Sequence, residues 1–148
     1  MAQERNKMEK PYALIVEKSN EVTSSITTIS AAANFDITTI SNLTHLRKAL
    51  VEHTFDLIII DLFMPESERF RLIVDLADIH CRSPLIFISD ESSMALDVAG
   101  KIARAKKLNL IKLLSKPIQP EALRAILNKT IWVDGATHQI TTCFNAPI

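Results

Sequence analysis

Apolar residues along this chain fall into two alternating patterns. One is a set of short unbroken runs: Tyr12-Ala13-Leu14-Ile15-Val16, Leu57-Ile58-Ile59-Ile60, Pro84-Leu85-Ile86-Phe87-Ile88 and Leu110 to Leu114. Such runs are too short for buried helices and rich in β-branched residues, so they read as strands covered on both faces. Phe35 to Ile40 (FDITTI) reads as a shorter strand. The second pattern is helical spacing. Val22, Ile26, Ile29 and Ala33 make one stripe, and Leu43, Leu46 and Leu50 the next. Phe70, Ile73, Leu76 and Ile79 follow between Ser67 and His80, then Leu96, Ala99 and Ala103 between Ser92 and Lys107. Leu123, Ile126 and Leu127 close the series, with Pro120 suited to the first turn of that last helix. Ser19-Asn20 offers a cap for the first helix, and Ser41 or Asn42 for the second. The first helix is rich in Ser and Thr, so packing must hold it.

Five strands alternate with five helices in this reading. That alternation predicts an α/β protein, a doubly wound (βα)5 unit with helices on both faces of a parallel sheet and right-handed crossovers. The flavodoxin-like strand order 2-1-3-4-5 is the expected topology, with its working crevice at the carboxyl ends of the strands. In that order Glu17-Lys18, Asp61, Ser89 and Lys116 end strands one, three, four and five and share one rim. Residues 1–10 read as a flexible polar leader and 11–130 as a single domain. Residues 131–148 leave the pattern: Ile131-Trp132-Val133 and Gln139-Ile140-Thr141-Thr142 flank the turn signal Asp134-Gly135. That extension reads as a hairpin, a linker or the first strands of an output domain.

Composition narrows the function classes. Lys plus Arg and Asp plus Glu both number 17, so net charge is zero and gives no warrant for a nucleic-acid surface. Lys101, Arg104, Lys106 and Lys107 read as the solvated side of the fourth helix. No apolar run approaches the ~20 residues that span a membrane, and the leader lacks a signal-peptide core. A cytoplasmic protein is the expectation, with Cys81 and Cys143 as reduced thiols. His45, His53, His80 and His138 show no metal-ligand spacing.

The candidate chemistry centres on Asp61. Met64-Pro65 turns the chain just beyond it. An isolated acid there reads first as a loop cap; Ser89 and Lys116 change the picture. A carboxylate can accept a phosphoryl group if its neighbours neutralise the incoming charge. A lysine ammonium and a serine hydroxyl can each hold a phosphoryl oxygen. The Lys116-Pro117 bond can fix the loop that aims the amine. Enzyme readings fare worse. Asp61-Leu62-Phe63 lacks the second acid of an aspartate-dependent phosphatase, and Glu17-Lys18-Ser19-Asn20 is no glycine-rich dinucleotide turn.

The pieces LIVEK, FDLIIIDLFMP, PLIFIS and LLSKP, in that order, resemble response-regulator receiver domains over residues 11–130. The resemblance implies a signalling module and not an enzyme, either a phosphorylatable receiver or a pseudo-receiver that acts as a protein-interaction or dimerisation module without phosphoryl transfer. It implies Asp61 as phosphoacceptor, Ser89 and Lys116 as phosphoryl-binding switch residues, and the Phe63 carbonyl as a metal ligand. A histidine kinase or phosphotransfer protein would be the donor. A homodimer through the fourth helix, fifth strand and fifth helix is a further implication. The segment from Ser89 to Lys116 is similar to receivers that precede EAL-type phosphodiesterase domains, although no EAL motif occurs here.

Three departures stand out. Receivers usually carry two adjacent acids after the first strand to hold Mg²⁺; this chain has Glu17 and then Lys18. Mg²⁺ relies on carboxylate oxygens. A misplaced unit charge at ~4 Å and an effective dielectric near 20 is worth about 4 kcal/mol before screening. The expected cofactor is therefore none, or weakly bound Mg²⁺. Lys18 either stands in for the metal beside Asp61 or points to solvent. Leu113 occupies the position of the aromatic switch residue. Glu68-Arg69 replaces a common Asp-Gly, which disfavours positive φ in that loop.

Overall fold

The computed structural model describes residues 11–17, 20–89 and 93–129. The leader, Lys18, Ser19 and the extension lie outside the described residues, as does the side chain of Val22. The elements run β1 (Tyr12–Val16), α1 (Asn20–Ala32), β2 (Asp36–Ile40), α2 (Thr44–Glu52), β3 (Leu57–Asp61), α3 (Glu66–Asp78), β4 (Leu85–Ser89), α4 (Ser93–Ala105), β5 (Leu110–Ser115) and α5 (Pro120–Lys129). Among the described residues all strand pairs are parallel, in the order β2-β1-β3-β4-β5. The expected doubly wound flavodoxin-like topology is the one observed.

The unbroken apolar runs are explained by two cores, one on each face of the sheet. Leu14, Ile58, Ile60, Leu85 and Phe87 point towards α2, α3 and α4. Ala13, Ile15, Leu57, Ile59, Ile86 and Ile88 point towards α1 and α5. Every residue of β3 and β4 is buried, so the usual polar alternation of a half-exposed strand has no place there. The register of β4 against β5 shifts between Leu85 and Ile86, so β5 accommodates one extra residue, Ile111. Leu110 and Leu113 thereby face one core, and Ile111 and Leu114 the other.

Helix α1 illustrates packing overriding propensity. Its six Ser and Thr forfeit about 0.5 kcal/mol each against alanine. Burying Ile26 and Ile29 returns about 1.5–3 kcal/mol apiece, enough to offset that.

Leu43, just before α2, already has helical dihedrals and makes no side-chain cap bond, so the capping side chain is that of Asn42, not Ser41. Its Oδ1 accepts the Thr44 N–H at 2.9 Å and the Thr44 hydroxyl at 2.7 Å. Asn42→Ala is expected to cost about 1 kcal/mol, read as a drop of a few degrees in thermal midpoint with no change in fold.

One expected stripe is corrected. Phe70 is 51% exposed and not in the core of α3; the buried residues there are Leu72, Ile73 and Leu76. Ile79 is only half-buried, at the C-cap. The helix begins at Glu66, directly after Pro65, and that phase turns Phe70 to the flank facing α4.

Candidate functional site

The register of the strands assembles the rim. Val16 pairs with Ile60, so Glu17 follows β1 at the level where Asp61 ends β3. Asp61 pairs with Ile88, and the Leu62 N–H continues the ladder to the Ile88 carbonyl at 2.7 Å. Ser89 pairs with Ser115, and the Lys116 N–H donates to the Ser89 carbonyl at 2.9 Å. Glu17, Asp61, Ser89 and Lys116 thus stand at consecutive strand ends of one edge.

These ends are dry. Glu17 is 5% exposed, Asp61 4% and Ser89 1%, a polar cluster among described residues whose other buried side chains, Ser30 aside, are apolar. Buried charge is tolerated only when paired. Lys116 meets that condition: its Nζ lies 2.5 Å from Asp61 Oδ2. The second oxygen, Oδ1, accepts the Phe63 N–H at 2.9 Å. The Lys116 ammonium also stands 5.7 Å from the centroid of the Phe63 ring, within cation–π range. The Lys116–Pro117 peptide is cis.

The structure brings Asp61 and Lys116 into direct contact and sets Ser89 at the adjoining strand end. Leu113 is elsewhere. It lies two residues before the end of β5, half-buried, with Cδ1 only 3.0 Å from where a Cβ on Gly100 of α4 would stand. A leucine there fills the space above Gly100 and offers no hydroxyl. Lys18 lies outside the described residues.

The Glu68-Arg69 departure has a structural outcome. Both residues are in the first turns of α3, so no positive φ is required of them. Arg69 Nη1 reaches back to donate to the Met64 carbonyl at 2.7 Å and lies 3.5 Å from the Leu62 carbonyl. Sequence reasoning marked Arg69 as a lost glycine and did not foresee this clamp. It also named only the backbone of Phe63, not its ring. A long cationic side chain one helical turn beyond a tight loop was the signal available.

Mg²⁺ at this rim would draw on carboxylate oxygens. It favours near-octahedral oxygen ligation, and the described residues contain no group of three Asp, Glu, His or Cys placed to hold an ion. Both Asp61 oxygens already have partners.

Other concavities lie away from this edge. A groove of about 670 Å³ between α2 and α3 is floored by Leu46, Leu72 and Leu76 and includes none of the rim residues. Cys81 is a free thiol near the start of β4, where burial pushes its pKa up despite hydrogen bonds with Ser83. No helix among the described residues is long and apolar enough to cross a membrane.

Residues 13–128 match the response regulator receiver domain family, and the chain belongs to it. Receiver domains are signalling modules of two-component systems, not enzymes, and exchange phosphoryl groups with histidine kinases or phosphotransfer proteins through an aspartate. Solved structures share the fold. A response regulator from Colwellia psychrerythraea is 24% identical, with 87% of this chain and 98% of that one covered at a TM-score of 0.68. The receiver domain of the Francisella response regulator 1452 is 20% identical, with 80% and 94% covered at 0.67. A CheY-like receiver domain protein from Methanospirillum hungatei JF-1 is 13% identical, with 88% and 98% covered at 0.71. No curated protein matches the chain.

Proposed function

We propose that Asp61 is the phosphoacceptor of this receiver and that phosphorylation changes its protein contacts. The observation that carries the reading is the buried Asp61 carboxylate held 2.5 Å from the Lys116 ammonium. An Asp61 oxygen forms the new bond to phosphorus, and the donor's leaving group departs with the electron pair of the bond that breaks. Lys116 balances the charge carried in, which matters most where water is excluded. Ser89, at the next strand end, has a hydroxyl to donate to a phosphoryl oxygen. Lys116 follows β5, so its new partner is felt along the α4–β5–α5 face. That face is the proposed site of partner exchange or self-association. A receiver domain dimer is the assembly in the solved structure of beryllofluoride-activated NtrC4. The setting is cytoplasmic, the donor a histidine kinase or phosphotransfer protein, and the output, fused or separate, of the EAL type.

Mg²⁺ binding is proposed to be weak, because Lys18 follows Glu17 where a second acid is usual. A second reading has support of its own: a pseudo-receiver that holds one state without phosphoryl transfer. Lys116 and the Phe63 N–H already occupy both Asp61 oxygens, and Leu113 has no hydroxyl to switch.

Incubation with a small phosphodonor over a range of Mg²⁺ concentrations, followed by intact mass, separates the two. The switch predicts a gain of one phosphoryl group that disappears in Asp61→Asn. No gain at any Mg²⁺ concentration selects the pseudo-receiver.

A further inference from the structure

The loop between β3 and α3 links Asp61 to a cation other than Lys116. The Leu62 carbonyl and the Phe63 N–H belong to one peptide unit. That unit is trans, so the two groups point in opposite directions from one rigid plane. On the carbonyl side stands Arg69, with Nη1 3.5 Å from the Leu62 oxygen. On the N–H side stands Asp61, with Oδ1 2.9 Å from the Phe63 nitrogen. The guanidinium is anchored by its shorter bond, 2.7 Å, to the Met64 carbonyl. At 3.5 Å its action on Leu62 is mainly electrostatic. A fixed positive charge at the oxygen end of a peptide polarises the N–H at the other end and makes it a stronger donor.

We propose that Arg69 is a positioning residue for Asp61, acting through the Leu62–Phe63 peptide. The guanidinium holds the loop by the Leu62 and Met64 carbonyls, on either side of Phe63, which fixes where the Phe63 N–H aims. That N–H in turn fixes the plane of the carboxylate by Oδ1, leaving Oδ2 towards Lys116 and an incoming donor. Arginine suits the task because its charge is permanent and Nη1 carries two N–H groups in a fixed plane, one for each oxygen; a lysine ammonium is a point charge on a flexible stem. The consequence for phosphoryl transfer rests on Asp61 being the acceptor. The geometric claim does not.

The test is Arg69→Gln, read by the Phe63 amide in ¹H–¹⁵N spectra and by the labelling rate with a small phosphodonor. Asp61→Asn defines how the Phe63 resonance moves when the carboxylate is lost. Arg69→Gln is expected to move that resonance in the same direction while α5 amides stay in place. Labelling slows about tenfold, as misplacement of a reacting group does, with the donor concentration for half-maximal rate unchanged. Thermal midpoints verify the fold; if the glutamine variant is unstable, Arg69→Lys serves, with the same displacement expected. An unmoved Phe63 amide, or a wild-type labelling rate in a folded variant, overturns the proposal. If the wild-type chain takes no phosphoryl group, the acceptor reading fails by itself, and the amide displacement alone decides whether Arg69 positions Asp61.

Discussion

Lys116→Met is expected to destabilise the protein by about 3–5 kcal/mol, the cost of stranding one member of a buried ion pair. The Asp61 side chain is 1% exposed and would lose the cation 2.5 Å from Oδ2. The equally buried Glu17 ends the neighbouring strand, so a second carboxylate adds repulsion where the ammonium stood. A fall of about 10–20 °C in thermal midpoint follows for a domain of this size. Adding Asp61→Asn to Lys116→Met is expected to recover most of the loss, since the stranded charge is then gone. Asp61→Asn alone is mild by comparison, because Lys116 has 15% of its side chain in contact with solvent to fall back on. Phosphoryl labelling of a folded Lys116→Met preparation is expected to drop by about 10²–10³, the scale of losing one group that stabilises charge in the transition state.

The second large effect concerns metal. Lys18→Asp replaces an ammonium next to Glu17 by a carboxylate. At ~4 Å and an effective dielectric of 20, two unit charges interact by about 4 kcal/mol, and a divalent ion doubles that. Solvent and motion reduce it, and a gain of about 30- to 100-fold in Mg²⁺ affinity is the expected result, equivalent to roughly 2–3 kcal/mol. Isothermal titration of both proteins measures it. A Lys18→Asp variant that binds Mg²⁺ no better than the parent would show that Lys18 does not set the metal response.

The strands were legible in the sequence because both faces of the sheet are covered. Leu57 to Ile60 and Leu85 to Ile88 are continuous apolar runs since each residue meets one of two cores. Their carboxyl ends were legible for the same reason: Asp61 and Ser89 are where the runs stop. Alternation and crossover handedness led to a doubly wound parallel sheet but leave more than one strand order open; order 2-1-3-4-5 came with the flavodoxin-like fold. Helix phase was less legible. Phe70 is as apolar as Leu72, and the pattern alone does not say which faces inward; the start of α3 at Glu66 does. The Asn42 cap was one of two candidates that only the Thr44 hydrogen bonds separate. Arg69 was seen as an absence of glycine. Its contribution depends on a side chain reaching back over five and seven residues to carbonyls, and composition and spacing carry no trace of that. Leu113 was read as a missing hydroxyl, and the structure adds what it does instead, which is to fill the space over Gly100.

The most direct test of Asp61 as acceptor is chemical mapping of the labelled protein. Borohydride reduces an acyl phosphate to the alcohol, so a phosphorylated aspartate becomes homoserine. After treatment with phosphodonor and borohydride, peptide sequencing by mass spectrometry is predicted to find homoserine at position 61 and at no other aspartate. Homoserine elsewhere, or a phosphoryl gain with aspartate intact at position 61, would contradict the account.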